Sequence, residues 1–110
     1  MPEYHYHVVM ETPLGPKRGD LHVLLAGSAV RGTLYILKRE EPISGSLTGK
    51  GRCRLHGKIV TRMRTLDYTA EGVLDSSHIA LAIHEARNTF FVRGTAVPTV
   101  KGGYAGEGKD

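Results

Sequence analysis

Tryptophan is absent, phenylalanine occurs twice and cysteine once in these 110 residues. A lone Cys53 excludes an internal disulfide, and with it the cross-linked scaffolds typical of small secreted domains. The opening MPEYHYHVVM offers neither a basic n-region nor an apolar run long enough for a signal peptide or a membrane span. It predicts a soluble, cytoplasmic protein with no membrane partner. Helical periodicity is missing as well: apolar residues nowhere recur at i, i+3, i+4 through several turns, so helix content should be near zero.

Catalytic signatures are also wanting. Ser44, Ser46, Ser76 and Ser77 fall in strand or turn contexts without a nucleophile elbow, and no glycine-rich loop leads into a helix where phosphate could sit. Of the six histidines, His5 and His7 share one strand face, and His78 and His84 are further candidates, but no cysteine or paired carboxylate stands near them in the chain. The reading is therefore no metal and no cofactor, with an enzyme ranked third, behind two non-enzymatic readings. Fifteen Lys and Arg against eleven Asp and Glu give a net charge of +4. That balance permits weak attraction to anions, yet the cations lack the dense clustering of a dedicated nucleic-acid binder.

What the chain does have is glycine, fourteen of them against five prolines. Short β-branched and aromatic runs between turn signals predict strands at about 4–11, 20–26, 30–38, 43–49, 52–61, 64–74, 78–85 and 89–97. Gly27-Ser28, Lys50-Gly51, Asp75-Ser76-Ser77 and Ala86-Arg87-Asn88 suit hairpins, and residues 12–19 form the one longer link. Beyond about residue 98 the text PTVKGGYAGEGKD loses all apolar alternation, so the domain is set at 1–98 and a loose tail at 99–110.

Side chains alternate across a pleated strand, and here one face is consistently apolar. It runs through Val30, Leu34 and Ile36, then Ile43 and Leu47, then Cys53, Leu55 and Ile59, then Leu66, Tyr68 and Ala70, then Ile79, Leu81 and Ile83, then Phe90, Val92 and Ala96. Five of these six strands place a glycine on that same face, at Gly32, Gly45, Gly57, Gly72 and Gly94. Removing a side chain where a wall curves most is how a sheet coils hard enough to close. The predicted fold is all-β: a single antiparallel up-and-down meander of about eight strands closed into a small barrel, which removes both sheet edges. An open sandwich of two four-stranded sheets is the rival.

In strand count, hairpin length and inward glycine, residues 4–97 resemble the lipocalin and avidin-like barrels grouped as calycins. The Gly-x-Trp signature of lipocalins cannot exist in a chain without Trp. The segments RGTLYIL, SGSLTG, HGKIVT, AEGVL and VRGTAV also look like small bacterial barrels. The calycin resemblance implies an apolar ligand in the barrel mouth.

A meander brings the turns near residues 12–19, 39–42, 62–63 and 86–88 to one end, which gathers Lys17, Arg18, Lys38, Arg39, Arg62, Arg64 and Arg87 with Glu40, Glu41 and Glu85. Parity continues the inward face through Lys38, Arg64 and Glu85, and the Asp75 hairpin should set Arg64 and Leu66 close to Glu85, with Tyr68 near Ile83. Inward Arg and Lys above an apolar interior suit a small hydrophobic carboxylate. The candidate ligand contacts are Arg64, Lys38, Tyr68 and Glu85; the competing reading pairs Arg64 with Glu85 as a plug. In an enzyme, the third reading, Tyr68 or Glu85 would move a proton. On the outer face, Arg52, Arg54, His56 and Lys58 line up, answered by Asp67 opposite Lys58 and Glu71 opposite Arg54. Ala80, Ala82 and Phe91 instead leave an apolar outer patch, with Val9 beside it, that suits a homodimer or protein partner unless Tyr104 of the tail covers it. Cys53 faces inward as a small core residue.

Overall fold

The computed structural model describes residues 2–60, 63–86 and 88–97. Eight antiparallel strands follow one another as β1 (Glu3–Thr12), β2 (Gly15–Ala26), β3 (Ala29–Ile36), β4 (Arg39–Leu47), β5 (Arg52–Val60), β6 (Thr65–Leu74), β7 (His78–Glu85) and β8 (Asn88–Ala96). Each pairs with its neighbour in sequence, and β1 pairs with β8 through Tyr6↔Ala96 to Glu11↔Phe91, so the meander closes. The open sandwich is thereby ruled out. Among the described residues there is no helix, and none long and apolar enough to cross a membrane.

The apolar face is the core. Val30, Leu34, Ile36, Ile43, Leu55, Ile59, Tyr68, Ile79, Leu81, Ile83 and Val92 are all buried, and β1 and β2 complete the lining with Tyr6, Val8, Met10, Leu21, Val23 and Leu25. Burial of each such side chain contributes roughly 1.5–3 kcal/mol, which is the main force closing the barrel. Cys53 is buried in the same layer and its thiol is pushed up by that burial, against a partly offsetting hydrogen bond with the Gly72 backbone.

The five inward glycines sit where strands press together. A Cβ at Gly32, Gly45 or Gly72 would overlap a carbonyl oxygen of the adjacent strand, at His22, Arg54 and Ala80 respectively. Gly19 repeats the device on β2 against Tyr35. Gly57 differs: a Cβ there would lie 2.7 Å from the Tyr68 hydroxyl, so this glycine makes room for a phenol ring across the β5–β6 ladder.

Several turns depart from the sequence expectations, among them β4–β5, which runs over residues 48–51 and not Lys50-Gly51 alone. The presumed 12–19 link is a two-residue turn, Pro13-Leu14, after which GPKRGD enters β2 with Lys17 opposite Met10 and Arg18 opposite Val9. Thr12 holds it, its hydroxyl donating to the Gly15 carbonyl at 2.7 Å and accepting from the Leu14 amide at 3.1 Å. Residues 39–42 are strand, not turn; the reversal falls at Leu37-Lys38, both left-handed at φ 54° and 64°. Pro42 lies opposite Thr33 on β3, one residue before the β4–β5 ladder begins at Ile43↔Gly57, so it is flanked by a partner strand on one side only. At β7–β8, Glu85 pairs with Asn88, so the turn is one residue shorter than expected. At the opposite end Gly27-Ser28 forms the expected tight turn with Gly27 at φ 62°. Asp75 fastens its own hairpin, Oδ1 accepting from the Ser77 and His78 amides at 2.7 and 2.8 Å, bonds that hold its carboxyl below the ordinary range.

Candidate functional site

The β1–β2, β3–β4, β5–β6 and β7–β8 turns share one end of the barrel, as a meander requires. There a cavity of about 600 Å³ opens, lined by Met10, Thr12, Pro13, Leu14, Lys17, Leu37, Arg39, Ile59, Val60, Met63, Leu66 and Phe90. Ile59 and Leu66, paired across β5 and β6, belong to its wall, while Leu14 and Met63 stand almost fully exposed at its rim, 86% and 90%. Large exposed apolar side chains around a concave opening are what a hydrophobic binding mouth presents.

Among the described residues, the cations lining this mouth are Lys17 and Arg39. Both follow from the corrected turns. Lys17 lies opposite inward Met10, and Arg39 opposite inward Ile36. Lys38, expected to continue the inward face, sits in the two-residue turn and is exposed, because the left-handed reversal ends the parity of β3 at Ile36. Arg64 is exposed just before β6 and is not part of the cavity lining. Arg62 and Arg87 lie outside the described residues, as does the tail with Tyr104.

Deeper in the wall come Tyr68 and Glu85. The β6–β7 ladder runs Thr69↔His84 and Ala70↔Ile83, a shift of two residues from the sequence expectation; one step further, that register sets Tyr68, not Leu66, across from Glu85. Glu85 is buried and accepts a hydrogen bond from the Asn88 amide nitrogen at 3.3 Å. Tyr68 is 4% exposed, and its hydroxyl has no hydrogen-bond partner among the described residues. Burial first, and then the charge of Glu41, push its phenol up to about 12. Glu41 is half-buried opposite Leu34, an inward carboxylate hidden from sequence reading by the misplaced turn.

On the outer wall the expected register holds: Lys58 pairs with Asp67, Arg54 with Glu71 and Ala82 with Phe91. Phe91 is 56% exposed, Ala80 is exposed and Ala82 half-buried. Val73, opposite Ala80 and 50% exposed, extends this patch beyond the residues singled out from the sequence.

No family model matches the chain, and no curated protein matches it. Among solved structures, a redesigned β-barrel, mFAP1, solved bound to DFHBI, superposes with a TM-score of 0.57 at 12% sequence identity, covering 84% of this chain and 90% of that one. The likeness is one of fold: an eight-stranded antiparallel up-and-down barrel.

Proposed function

We propose that this barrel binds a small apolar molecule carrying an acidic group, without catalysing a reaction. The mouth cavity is the observation that carries the reading: about 600 Å³ of largely apolar wall with Lys17 and Arg39 beside it. This lies within the range of roughly 300–1,000 Å³ usual for small-ligand sites. Leu14, Leu37, Met63 and Phe90 would take the apolar body, and the two cations the anion, the Arg39 guanidinium offering two parallel hydrogen bonds. Arg64 and Lys38 serve at the rim, and a ligand reaching past Ile59 and Leu66 would meet Tyr68 and Glu85. The calycin resemblance, and the ligand carried by a barrel of the same fold, lend support by analogy.

Dodecanoate is a suitable probe. Titration followed by displacement of a fluorescent anilinonaphthalene sulfonate should saturate at one site. Arg39→Ala with Lys17→Ala should weaken dodecanoate at least tenfold, about 1.4 kcal/mol, while leaving dodecanol nearly unaffected. Equal loss of both probes, or no displacement in the wild-type chain, rejects the assignment.

A second reading rests on the outer patch of Val73, Ala80, Ala82 and Phe91, which suits a self-complementary dimer with β1 and Val9 at its margin. Light scattering coupled to gel filtration decides it: a dimer should revert to monomer on Phe91→Asp, whereas a monomer unchanged by that substitution removes the reading.

A further inference from the structure

The outer face of β1 and β2 carries an arrangement that neither strand shows alone. Along β1, His5 and His7 point the same way, two residues apart, and Asp20 on β2 stands directly opposite His7. Both rings converge on one carboxylate oxygen: Asp20 Oδ1 lies 2.7 Å from His7 Nδ1 and 3.2 Å from His5 Nε2. The donor atoms of all three residues fall within 4.8 Å of one another. His22 lies opposite His5 with the two rings in edge contact at 6.2 Å, but its Nε2 is engaged by Glu3 and not by Asp20.

We propose that His5, His7 and Asp20 form a binding site for a divalent transition-metal ion, Zn²⁺ being the natural probe. Two imidazoles and a carboxylate are a donor set that borderline-soft cations prefer. Size agrees with chemistry. Ligand bonds of 2.0–2.1 Å in a tetrahedral sphere put donors roughly 3.3 Å apart, close to the 2.7 and 3.2 Å of the two His–Asp contacts and inside the 4.8 Å that spans all three, a span that rotation of these exposed side chains can adjust. The protons also balance. In the metal-bound form each imidazole carries its one proton on the nitrogen away from Asp20, Nδ1 in His5 and Nε2 in His7; any proton on the facing nitrogens passes to water, and water supplies the one on the far nitrogen, so the facing lone pairs are left for the metal. The carboxylate, with one negative charge, partly neutralises the ion.

Three protein ligands leave a fourth position open. Beside His7 and Asp20 runs a groove of about 870 Å³ that also contains Arg18, Arg93, Tyr35 and His78. Water, or an oxyanion favoured by the two guanidinium groups, would complete the sphere from that side. The site lies on the outer wall, away from the mouth cavity, and stands independently of the ligand proposed there.

The test is calorimetric titration of the full chain, free of any histidine tag, with zinc chloride, read alongside the histidine ring signals by NMR. One Zn²⁺ per chain is expected, with shifts at the His5 and His7 rings. His7→Ala and Asp20→Asn should each weaken binding tenfold or more, while His84→Ala, whose ring contacts Glu71 on another part of the wall, leaves it unchanged. Because all three ligands are at least partly exposed, these variants should keep the fold, and the NMR shifts of the wild-type chain supply an independent readout. Absence of saturable binding, shifts centred on His22 instead, or equal losses in His7→Ala and His84→Ala would overturn the proposal.

Discussion

Tyr68 and Gly57 face each other across β5 and β6, and each explains the other. The ring occupies space that a Cβ on residue 57 would need, and the hydroxyl at its end finds no acceptor among the described residues. A buried, unpaired hydroxyl costs about 1–3 kcal/mol, so Tyr68→Phe should leave the fold as stable or raise its stability by about 1 kcal/mol in urea unfolding. Destabilisation of that size would mean the hydroxyl has a partner. Alkaline titration examines the same group. Its phenol ionises near 12 in the folded chain instead of 10.0, so on raising pH the unfolded chain loses its proton first. Stability linked to Tyr68 is complete below pH 10 and declines between 10 and 12, and Tyr68→Phe should flatten that decline. The Tyr6 phenol, fully buried with its hydroxyl donating to the Asp75 carbonyl at 2.5 Å, is shifted upward too, chiefly by burial, and will add to the slope in both chains. Gly72 is the opposite kind of position: Gly72→Ala forces a methyl onto the Ala80 carbonyl, and a loss of about 2–4 kcal/mol is expected by the same unfolding assay.

Turns decide which residues reach the mouth. Leu37 and Lys38 both adopt positive φ, although neither is the Asn or Gly that such a reversal favours. A left-handed non-glycine residue carries a cost of roughly 1–2 kcal/mol, so Lys38→Gly should stabilise the protein by about 1 kcal/mol; thermal unfolding will show whether it does. Absence of that signal is also why the sequence misleads here. Arg39-Glu40-Glu41-Pro42, charged and ending in proline, reads as a turn, and GPKRGD reads as a loop, because neither shows the alternation of apolar side chains that marks a strand. Both are strands whose inward positions near the mouth are polar, Lys17 in one, Arg39 and Glu41 in the other. Where inward positions are apolar, from Val30 to Ile36 and again from Cys53 through Val92, alternation was enough to place the core, and parity set Lys58 against Asp67 and Ala82 against Phe91. The His5–His7–Asp20 group was half legible: spacing pairs the histidines, but their carboxylate arrives from the neighbouring strand by register alone.

At the scale of the whole molecule, closure turns a meander into a wall with two distinct surfaces. The inside is filled through its middle by fully buried Tyr6, Leu21, Leu55, Ile79 and Ile83, leaving the mouth as the opening where apolar side chains and cations meet. A ligand there makes a testable demand on both size and charge. Methyl-resolved NMR of the labelled protein during dodecanoate addition is the most direct measurement. Saturable shifts should cluster at Leu14, Leu37, Ile59, Met63 and Leu66, with Val73 and the other outer-wall methyls unmoved. Shifts dispersed over the outside of the barrel, or none at saturating dodecanoate, would contradict a binding site in the mouth.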